Sequence, residues 1–148
     1  MTEVRIYTET TVKGPIVRDG KYAAVLVCTG TDGKLHERFL DGEEEGTTAN
    51  RLVLLAMIYA MWKLNRRCRV IIYTDNTYVK NMAESGNPEK WRREEWRRAA
   101  GRTVRNKELW ELFLKEKEKH EVEIRFSRHN EYTDELRAVM DAKEIEDV

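Results

Sequence analysis

The chain has 148 residues, which is the length of a single domain with its own hydrophobic core. Charged residues make up 36% and hydrophobic residues 41%, which is typical of a folded globular protein and excludes a disordered one. The 27 basic and 27 acidic residues cancel, so the net charge alone gives no sign of a nucleic-acid partner.

Three strands joined by turns are predicted in the first third of the chain. Apolar residues in alternating or continuous runs mark these strands at Val4–Tyr7, Tyr22–Cys28 and Lys34–Leu40. Glycine-containing turns are expected at Asp19-Gly20 and at Thr31–Gly33. The run Gly42–Gly46 carries three glutamates and is expected to be a solvated loop.

Two further strands and five helices are predicted in the rest of the chain. A helix follows Thr47 or Thr48, either of which can cap it, and Leu52–Leu64 is apolar on nearly every side, as in a buried helix. Asn106 and Asn130 are expected to cap the last two helices. The remaining elements are strands at Arg69–Tyr73 and Val122–Phe126 and helices at Thr77–Ala83 and Trp91–Ala100.

This order predicts an α/β fold with a mixed five-stranded sheet and helices on both of its faces, in one domain over residues 1–148. Hairpin links make the first three strands antiparallel, whereas helical crossovers make the fourth and fifth strands parallel to the first. In such sheets, ligands bind beyond the carboxyl ends of the parallel strands.

Cysteine content and hydropathy exclude other classes. The two cysteines, Cys28 and Cys68, lie in apolar runs and predict reduced core thiols, which excludes a disulfide scaffold or a Cys-rich zinc site. No apolar run reaches the roughly 18 residues of a membrane helix, and residues 1–5 lack the features of a signal peptide. We therefore expect a monomeric, cytoplasmic protein without membrane contact.

Charge is concentrated in two segments. Between Gly86 and Lys107, eight basic residues and three acidic ones give a net charge of +5, and residues 131–148 carry −5 from seven acidic and two basic residues. The basic segment is a candidate contact for a polyanion, the alternative being a solvated helix face. Trp91 and Trp96 lie among its arginines, where they either stack on a ligand or pack the segment against the body of the protein.

Three acidic residues are candidates for chemistry. Glu9 and Asp75 each end a predicted strand, and Asp134 opens the last helix soon after the fifth strand. If strands one, four and five are neighbours, these carboxylates converge at one edge of the sheet. Because like charges raise each other's pKa, a hard divalent cation such as Mg²⁺ or Mn²⁺ would stabilise the cluster. The alternative is ordinary loop and helix-terminus chemistry.

Five motifs, in order from about residue 3 to residue 145, resemble those of bacterial ribonuclease H of type 1. They are the segments Arg5–Glu9, Thr47–Arg51, Ile71–Val79, Trp91–Trp110 and Asn130–Leu136. The resemblance implies the ribonuclease H fold with a basic protrusion over about residues 88–107. It also implies the family's reaction, in which four carboxylates hold two Mg²⁺ ions and the RNA strand of an RNA–DNA hybrid is hydrolysed.

The acid set that this resemblance requires is incomplete. The family's first Asp is Glu9 here, and its Glu falls on Val53, whereas Asp75 and Asp134 are kept. The resemblance implies Glu9, Asp75 and Asp134 as the catalytic and metal-binding residues, with Mg²⁺ or Mn²⁺ as cofactor and as few as one ion. Because a misplacement of about 1 Å can lower a rate about 10²-fold, we expect hydrolysis to be weakened or lost. His129 is treated as a loop histidine.

The residues that would contact nucleic acid are better preserved. On the resemblance, Asn50 and Asn76 contact the backbone or minor groove of the hybrid. Phosphate contacts would come from the protrusion. The candidate residues in the protrusion are Trp91, Arg92, Arg93, Trp96, Arg97 and Arg98.

Three functions are therefore compatible with the sequence. The first is a ribonuclease H-family domain that binds RNA–DNA hybrid or a related duplex and hydrolyses it weakly or not at all. The second is an active Mg²⁺- or Mn²⁺-dependent endoribonuclease that takes another ligand in place of Val53. The third is a non-catalytic protein-interaction scaffold whose basic segment meets an acidic partner.

Overall fold

The computed structural model describes residues 1–97 and 101–146, with side chains as far as residue 141. The strands are β1 (Thr2–Thr10), β2 (Arg18–Thr29), β3 (Leu35–Thr47), β4 (Cys68–Thr74) and β5 (Glu121–Phe126). The helices are α1 (Ala49–Met61), α2 (Thr77–Glu84), α3 (Asn87–Arg93), α4 (Lys107–Lys119) and α5 (Thr133–Glu146). In this part of the chain, no helix combines the length and hydropathy needed to cross a membrane.

The strands form one sheet in the order β3-β2-β1-β4-β5, which confirms the predicted mixed topology. β2 is antiparallel to both β1 and β3, whereas β4 is parallel to β1 and β5 is parallel to β4. Tyr7 pairs with Tyr73 in the β1–β4 ladder. Because side chains alternate along a strand, Glu9 lies on the same face as Tyr7, and Asp75 directly follows the neighbouring strand β4.

Helices cover both faces of the sheet, as predicted. α1 packs on the face that carries Ile6 and Ile72, and most of its side chains are buried. Its N-cap is Thr48, whose hydroxyl accepts from the backbone N–H of Arg51 at 3.3 Å. α5 covers the other face through Leu136 and Met140, which, together with Tyr132 just before the helix, pack against Tyr7, Val25 and Val27. The larger core therefore lies under α1, and the smaller one lies under α5.

The predicted loop Gly42–Gly46 is wrong, because β3 continues through it to Thr47. Tyr22 pairs with Gly42, and a Cβ atom on Gly42 would lie 2.2 Å from the Tyr22 hydroxyl oxygen. Gly42 therefore makes room for an aromatic ring and does not form a turn. The expected turn at Asp19-Gly20 also lies inside a strand, where the β2–β3 register shifts between Arg18 and Gly20.

The predicted helix Trp91–Ala100 is wrong over residues 94–97, which are not helical, and its residues 98–100 lie outside the described residues. α3 begins at Asn87 and ends at Arg93, after which Glu95 and Trp96 adopt positive φ angles of 58° and 64°. Both left-handed residues follow the C-cap residue Glu94, and the Trp96 ring lies in the core, where it is 5% exposed. Burial of the indole offsets the unfavourable backbone conformation.

Candidate functional site

Glu9 is a buried carboxylate near the carboxyl end of the central strand β1, and it is 4% exposed. Its Oε1 atom accepts from the backbone N–H of Thr10 at 3.0 Å and from the ammonium group of Lys13. Its Oε2 atom accepts from Nε of Arg137 at 3.2 Å. Both carboxylate oxygens therefore face a positively charged side chain of the same chain.

Asp75 follows β4 and joins the same network. Nζ of Lys13 donates to Oδ2 of Asp75 at 2.8 Å while it also contacts Glu9. The structure thus brings together two of the three predicted carboxylates, and it does so around one ammonium group. Lys13 comes from the loop between β1 and β2, so the loop folds back over the end of the sheet.

Asp134 lies apart from this pair. It is the second residue of α5, its side chain is 84% exposed, and its Oδ1 atom lies 3.3 Å from Nε2 of His129. Among the described residues, it is not an ion-pair partner of Glu9, Asp75 or Lys13. The structure does not bring the third predicted carboxylate to the other two.

The residue of α5 that reaches Glu9 is Arg137, about one turn after Asp134. Tyr132 fixes the position of the helix, because its ring lies 4.8 Å from that of Tyr7, which itself stacks on Tyr73 at 4.6 Å. This aromatic cluster, two residues before Glu9 along β1, sets the start of α5 and hence the reach of Arg137.

Val53 is fully buried in α1 and belongs to the larger core. Because an aliphatic side chain provides no ligand, Val53, on which the resemblance places a glutamate, carries neither a donor atom nor a charge. The arrangement matches the sequence prediction for this position, and burial of the valine stabilises the packing of α1.

The described side chains do not fit a divalent-metal centre. Among residues 1–97 and 101–141, no group of three or more His, Cys, Asp or Glu side chains is placed to hold a metal ion. Mg²⁺ and Mn²⁺ need several oxygen ligands free to coordinate, whereas Glu9 and Asp75 already bind Lys13 and Arg137. In the structure, the carboxylates of Glu9 and Asp75 form ion pairs with the cationic side chains of Lys13 and Arg137.

A cleft of about 750 Å³ opens beside these residues, between the β1–β2 loop and the starts of α1, α2 and α4. The charged side chains of its described lining are one carboxylate, Asp75, and four cations: Lys13, Arg105, Arg128 and Arg137. The lining also includes the side chains of Asn50 and Asn76. The cleft is therefore cationic, although the whole chain is neutral.

Asn50 and Asn76 are held in a fixed orientation at the rim of this cleft. Nδ2 of Asn76 donates to Oδ1 of Asn50 at 2.8 Å. Oδ1 of Asn76 accepts from the backbone N–H of Val79 at 2.9 Å and thereby caps α2. Local helix capping and a side-chain pair thus position both amides that the sequence predicts as binding residues.

Arg51 of α1 connects β3 to the start of α4, next to the cleft. Its guanidinium pairs with both oxygens of Glu44 at 2.9 Å and 3.1 Å, and with Glu108 at 2.6 Å. It also donates to Oδ1 of Asn106 at 3.3 Å. Asn106 is the N-cap residue of α4, as predicted. Its side chain, however, accepts a hydrogen bond from Arg51 and makes no capping hydrogen bond to the helix. Hydrogen bonding to Arg51 holds the pKa of both Glu44 and Glu108 below the usual range.

The basic protrusion is packed against α4. The Trp91 ring meets the Trp110 ring edge to face at 6.1 Å, and Trp96 is buried, so both indoles fit the packing alternative. Lys117 fixes the base of the protrusion by donating to the Ala83 carbonyl at 3.2 Å and to Glu89 at 3.0 Å. This contact ties α4 to both α2 and α3.

The arginines of the protrusion differ in their surroundings. Arg92 forms an ion pair with Glu118 of α4. Arg93 and Arg97 are exposed, whereas the predicted binding residue Arg98 lies outside the described residues. Of the predicted binding arginines that the structure describes, Arg93 and Arg97 are therefore open to a ligand, and Arg92 is held by an acidic neighbour.

Sequence reasoning missed Lys13 and Arg137 as residues of the site. Neither lies in a position that the motifs single out, and the contact between Arg137 and Glu9 spans 128 residues along the chain. A basic residue placed four positions after the first acid is the one signal that could have identified Lys13. Arg105, which also lines the cleft, belongs to the Trp91–Trp110 motif and to the basic segment, whereas Arg128 carries no signal of its own in the sequence.

Comparison with known proteins identifies relatives of this chain. The family model for RNase H matches residues 1–139. Ribonuclease H of Thermoanaerobacter sp. is 36% identical over 132 residues, which are 87% of this chain and 81% of that protein. Ribonuclease H of Desulforamulus reducens is 35% identical over 150 residues, with coverage of 97% and 90%.

Solved structures show the same fold. A type 1 RNase H with the type 2 active-site motif, LC9-RNase H1, matches with a TM-score of 0.76 at 21% identity, over 93% of this chain and 70% of that chain. A foamy viral protease-reverse transcriptase in complex with RNA/DNA hybrid matches with a TM-score of 0.67 at 13% identity, over 93% of this chain and 18% of the other. These likenesses confirm the predicted fold class.

Proposed function

This chain belongs to the ribonuclease H family, and we propose on that basis that it binds RNA–DNA hybrid or a related duplex and hydrolyses it weakly or not at all. The single observation that carries the proposal is the cationic cleft at the carboxyl edge of the sheet. Four basic side chains line it, and two of them, Lys13 and Arg137, form ion pairs with the carboxylates of Glu9 and Asp75.

Binding is supported by charge and by shape. The cleft cations can neutralise backbone phosphates and release their counterions, which favours association with any nucleic-acid duplex. The fixed amides of Asn50 and Asn76 supply polar groups beside these cations, suited to sugar hydroxyls or base edges in a shallow minor groove. A relative of the same fold is described in complex with RNA/DNA hybrid.

Weak or absent hydrolysis is supported by the state of the acids. Ribonuclease H enzymes generally use a divalent metal ion, which activates the nucleophile and stabilises the leaving oxygen. Here Val53 removes one ligand, Glu9 and Asp75 bind cationic side chains, and Asp134 is turned to His129. The residues present bind and orient a duplex, and they lack an assembled set of ligands for hydrolysis.

The test measures binding and cleavage on the same fluorescent RNA–DNA hybrid. We expect a change in anisotropy at low salt, an affinity that falls steeply with salt, and an RNA strand that stays full length in Mg²⁺ and in Mn²⁺. The double variant Arg105→Ala/Arg128→Ala should bind about tenfold or more weakly. Its matched control is Arg66→Ala/Arg67→Ala, which removes two exposed arginines before β4, outside the cleft lining.

Each other outcome identifies one of the alternatives. Rapid cleavage by the wild-type protein would show an active endoribonuclease and overturn the proposal. Absence of hybrid binding at low salt would favour the protein-interaction scaffold. Equal weakening by both double variants would mean that the cleft is not the binding site.

A further inference from the structure

We propose that Lys13 and Arg137 take the place of a divalent cation in this cleft: Lys13 neutralises the Glu9–Asp75 pair, and Arg137 holds a backbone phosphate of the bound duplex. The inference rests on the proposed duplex binding and adds the way in which the chain achieves it. It concerns two residues that no motif of the family singles out.

Burial makes the negative charge of Glu9 unfavourable unless a positive charge lies next to it. Glu9 is almost fully buried, and an isolated carboxylate in that position would be strongly destabilising unless a positive charge or a metal ion accompanied it. Next to it lies Asp75, so the two acids would also repel each other. Some cation is required here, and in this chain Lys13 and Arg137 provide the charge.

The second step concerns the geometry of Lys13. One ammonium group contacts Oε1 of Glu9 and Oδ2 of Asp75, so it bridges the two acids from a position between them. A divalent cation shared by two carboxylates would need the same position. Because Lys13 is covalently part of the chain, this charge is present at every metal concentration.

The third step concerns Arg137. Its side chain is 53% exposed and lines the cleft, and in the described part of the chain only its Nε has a hydrogen-bond partner, Glu9. The four N–H donors of its two Nη groups are left for a ligand. A planar guanidinium fork fits two phosphate oxygens, and the carboxylate behind it fixes its orientation.

The fourth step is the resulting charge of the cleft. Two acids without cations would repel a phosphate, whereas Glu9 and Asp75 together with Lys13 and Arg137 form a locally neutral group. Arg105 and Arg128 then leave the cleft with a net positive charge. A backbone phosphate can therefore approach the carboxylates without a bound metal ion.

The first experiment measures Mn²⁺ binding in the absence of nucleic acid, by the electron paramagnetic resonance signal of free Mn²⁺. The double variant Lys13→Met/Arg137→Met should bind Mn²⁺ about tenfold or more tightly than the wild type, because it frees the carboxylates for coordination. Lys34→Met/Arg66→Met changes the same charges away from the cleft and should match the wild type. Equal Mn²⁺ affinity in the wild type and the double variant would overturn the proposal.

The second experiment keeps the proposal testable if the double variant does not fold. The affinity of the wild type for hybrid is measured in EDTA and in Mg²⁺ at equal ionic strength, and we expect the two values to agree within about twofold. Arg137→Met alone should weaken binding about tenfold or more in both buffers, and Arg66→Met should not. Hybrid binding that requires Mg²⁺ would contradict the substitution of metal by side chains while it upheld duplex binding. If the protein bound no hybrid in EDTA and none in Mg²⁺, both proposals would be overturned.

Discussion

The ion pairs of Glu9 can be weighed by a double-mutant cycle with Lys13. Glu9→Gln keeps the shape of the side chain and removes its charge, and Lys13→Met keeps most of the apolar stem of the lysine. A hydrogen bond to a charged group contributes roughly 1.5–3 kcal/mol to stability when it is buried. Lys13 is 46% exposed, so solvent screening reduces the expected coupling to about 1–2 kcal/mol.

The assay is urea unfolding of the wild type, both single variants and the double variant, at neutral pH and low ionic strength. The control is the same cycle on Lys80 and Glu84, an i,i+4 pair on α2 at 2.9 Å, which should couple by about 0.3–0.5 kcal/mol. The Glu9–Lys13 coupling should persist in about 1 M NaCl, because the carboxylate is buried and poorly screened. A coupling no larger than that of the control, or one that vanishes in salt, would refute the view that a buried charge is neutralised here.

Three further outcomes follow from the structure. Arg51→Met should lower the free energy of unfolding by about 2–3 kcal/mol near pH 7 in urea denaturation, because it breaks the bidentate pair with Glu44 and the bond to Glu108. The pKa of both carboxyl groups is lowered on folding, so this contribution is complete above their unfolded pKa of about 4.3 and is lost as the pH falls below it. A variant as stable as the wild type would count against the network. Burial lowers the pKa of His120, whose Nδ1 accepts from the Cys68 N–H at 3.0 Å, so the wild type should lose stability as the pH falls below the unfolded histidine pKa of about 6.5. His120→Gln should be less stable at neutral pH and show a flatter dependence in this range, and an unchanged slope would assign the effect to other groups. In a plot of the logarithm of the hybrid-binding constant against the logarithm of the salt concentration, removal of the protrusion arginines should reduce the slope. We expect a reduction of about 0.7–0.9 for each phosphate that these side chains no longer neutralise. An unchanged slope would exclude that surface from the interface. The arginines to replace by alanine are Arg92, Arg93, Arg97 and Arg98.

The sheet could be predicted from the sequence because its signals are local and mutually consistent. Hairpin turns and helical crossovers determine the direction of each strand, and the register then places Glu9 beside Asp75. The strand through Gly42–Gly46 could not be predicted, because glycine and glutamate have low strand propensity and the reason for Gly42 is the Tyr22 ring across the ladder. Nor does any local signal show that Trp96 turns into the core through a positive φ angle.

Only the part of the candidate site that follows from strand order could be predicted from the sequence. Glu9 and Asp75 were found because both end adjacent parallel strands, which is a consequence of topology. The position of Asp134 at the start of the last helix, soon after β5, predicts that it joins them, yet α5 presents Arg137 to Glu9. Contacts between a loop, a helix and a strand depend on tertiary packing, so Arg137 could not be predicted, and the spacing of four residues from Glu9 is the one local signal for Lys13.

Single-turnover cleavage of a labelled hybrid by excess protein in Mg²⁺ separates weak hydrolysis from weak binding, because it measures chemistry on substrate that is already bound. Enzymes typically turn over at about 10 s⁻¹, and a misplacement of the reacting groups by about 1 Å can lower the rate about 10²-fold. Because Val53 stands in place of an acid and Lys13 holds Glu9, we expect a cleavage rate below about 0.1 s⁻¹ on fully bound hybrid. A rate near 10 s⁻¹ under the same conditions would contradict it.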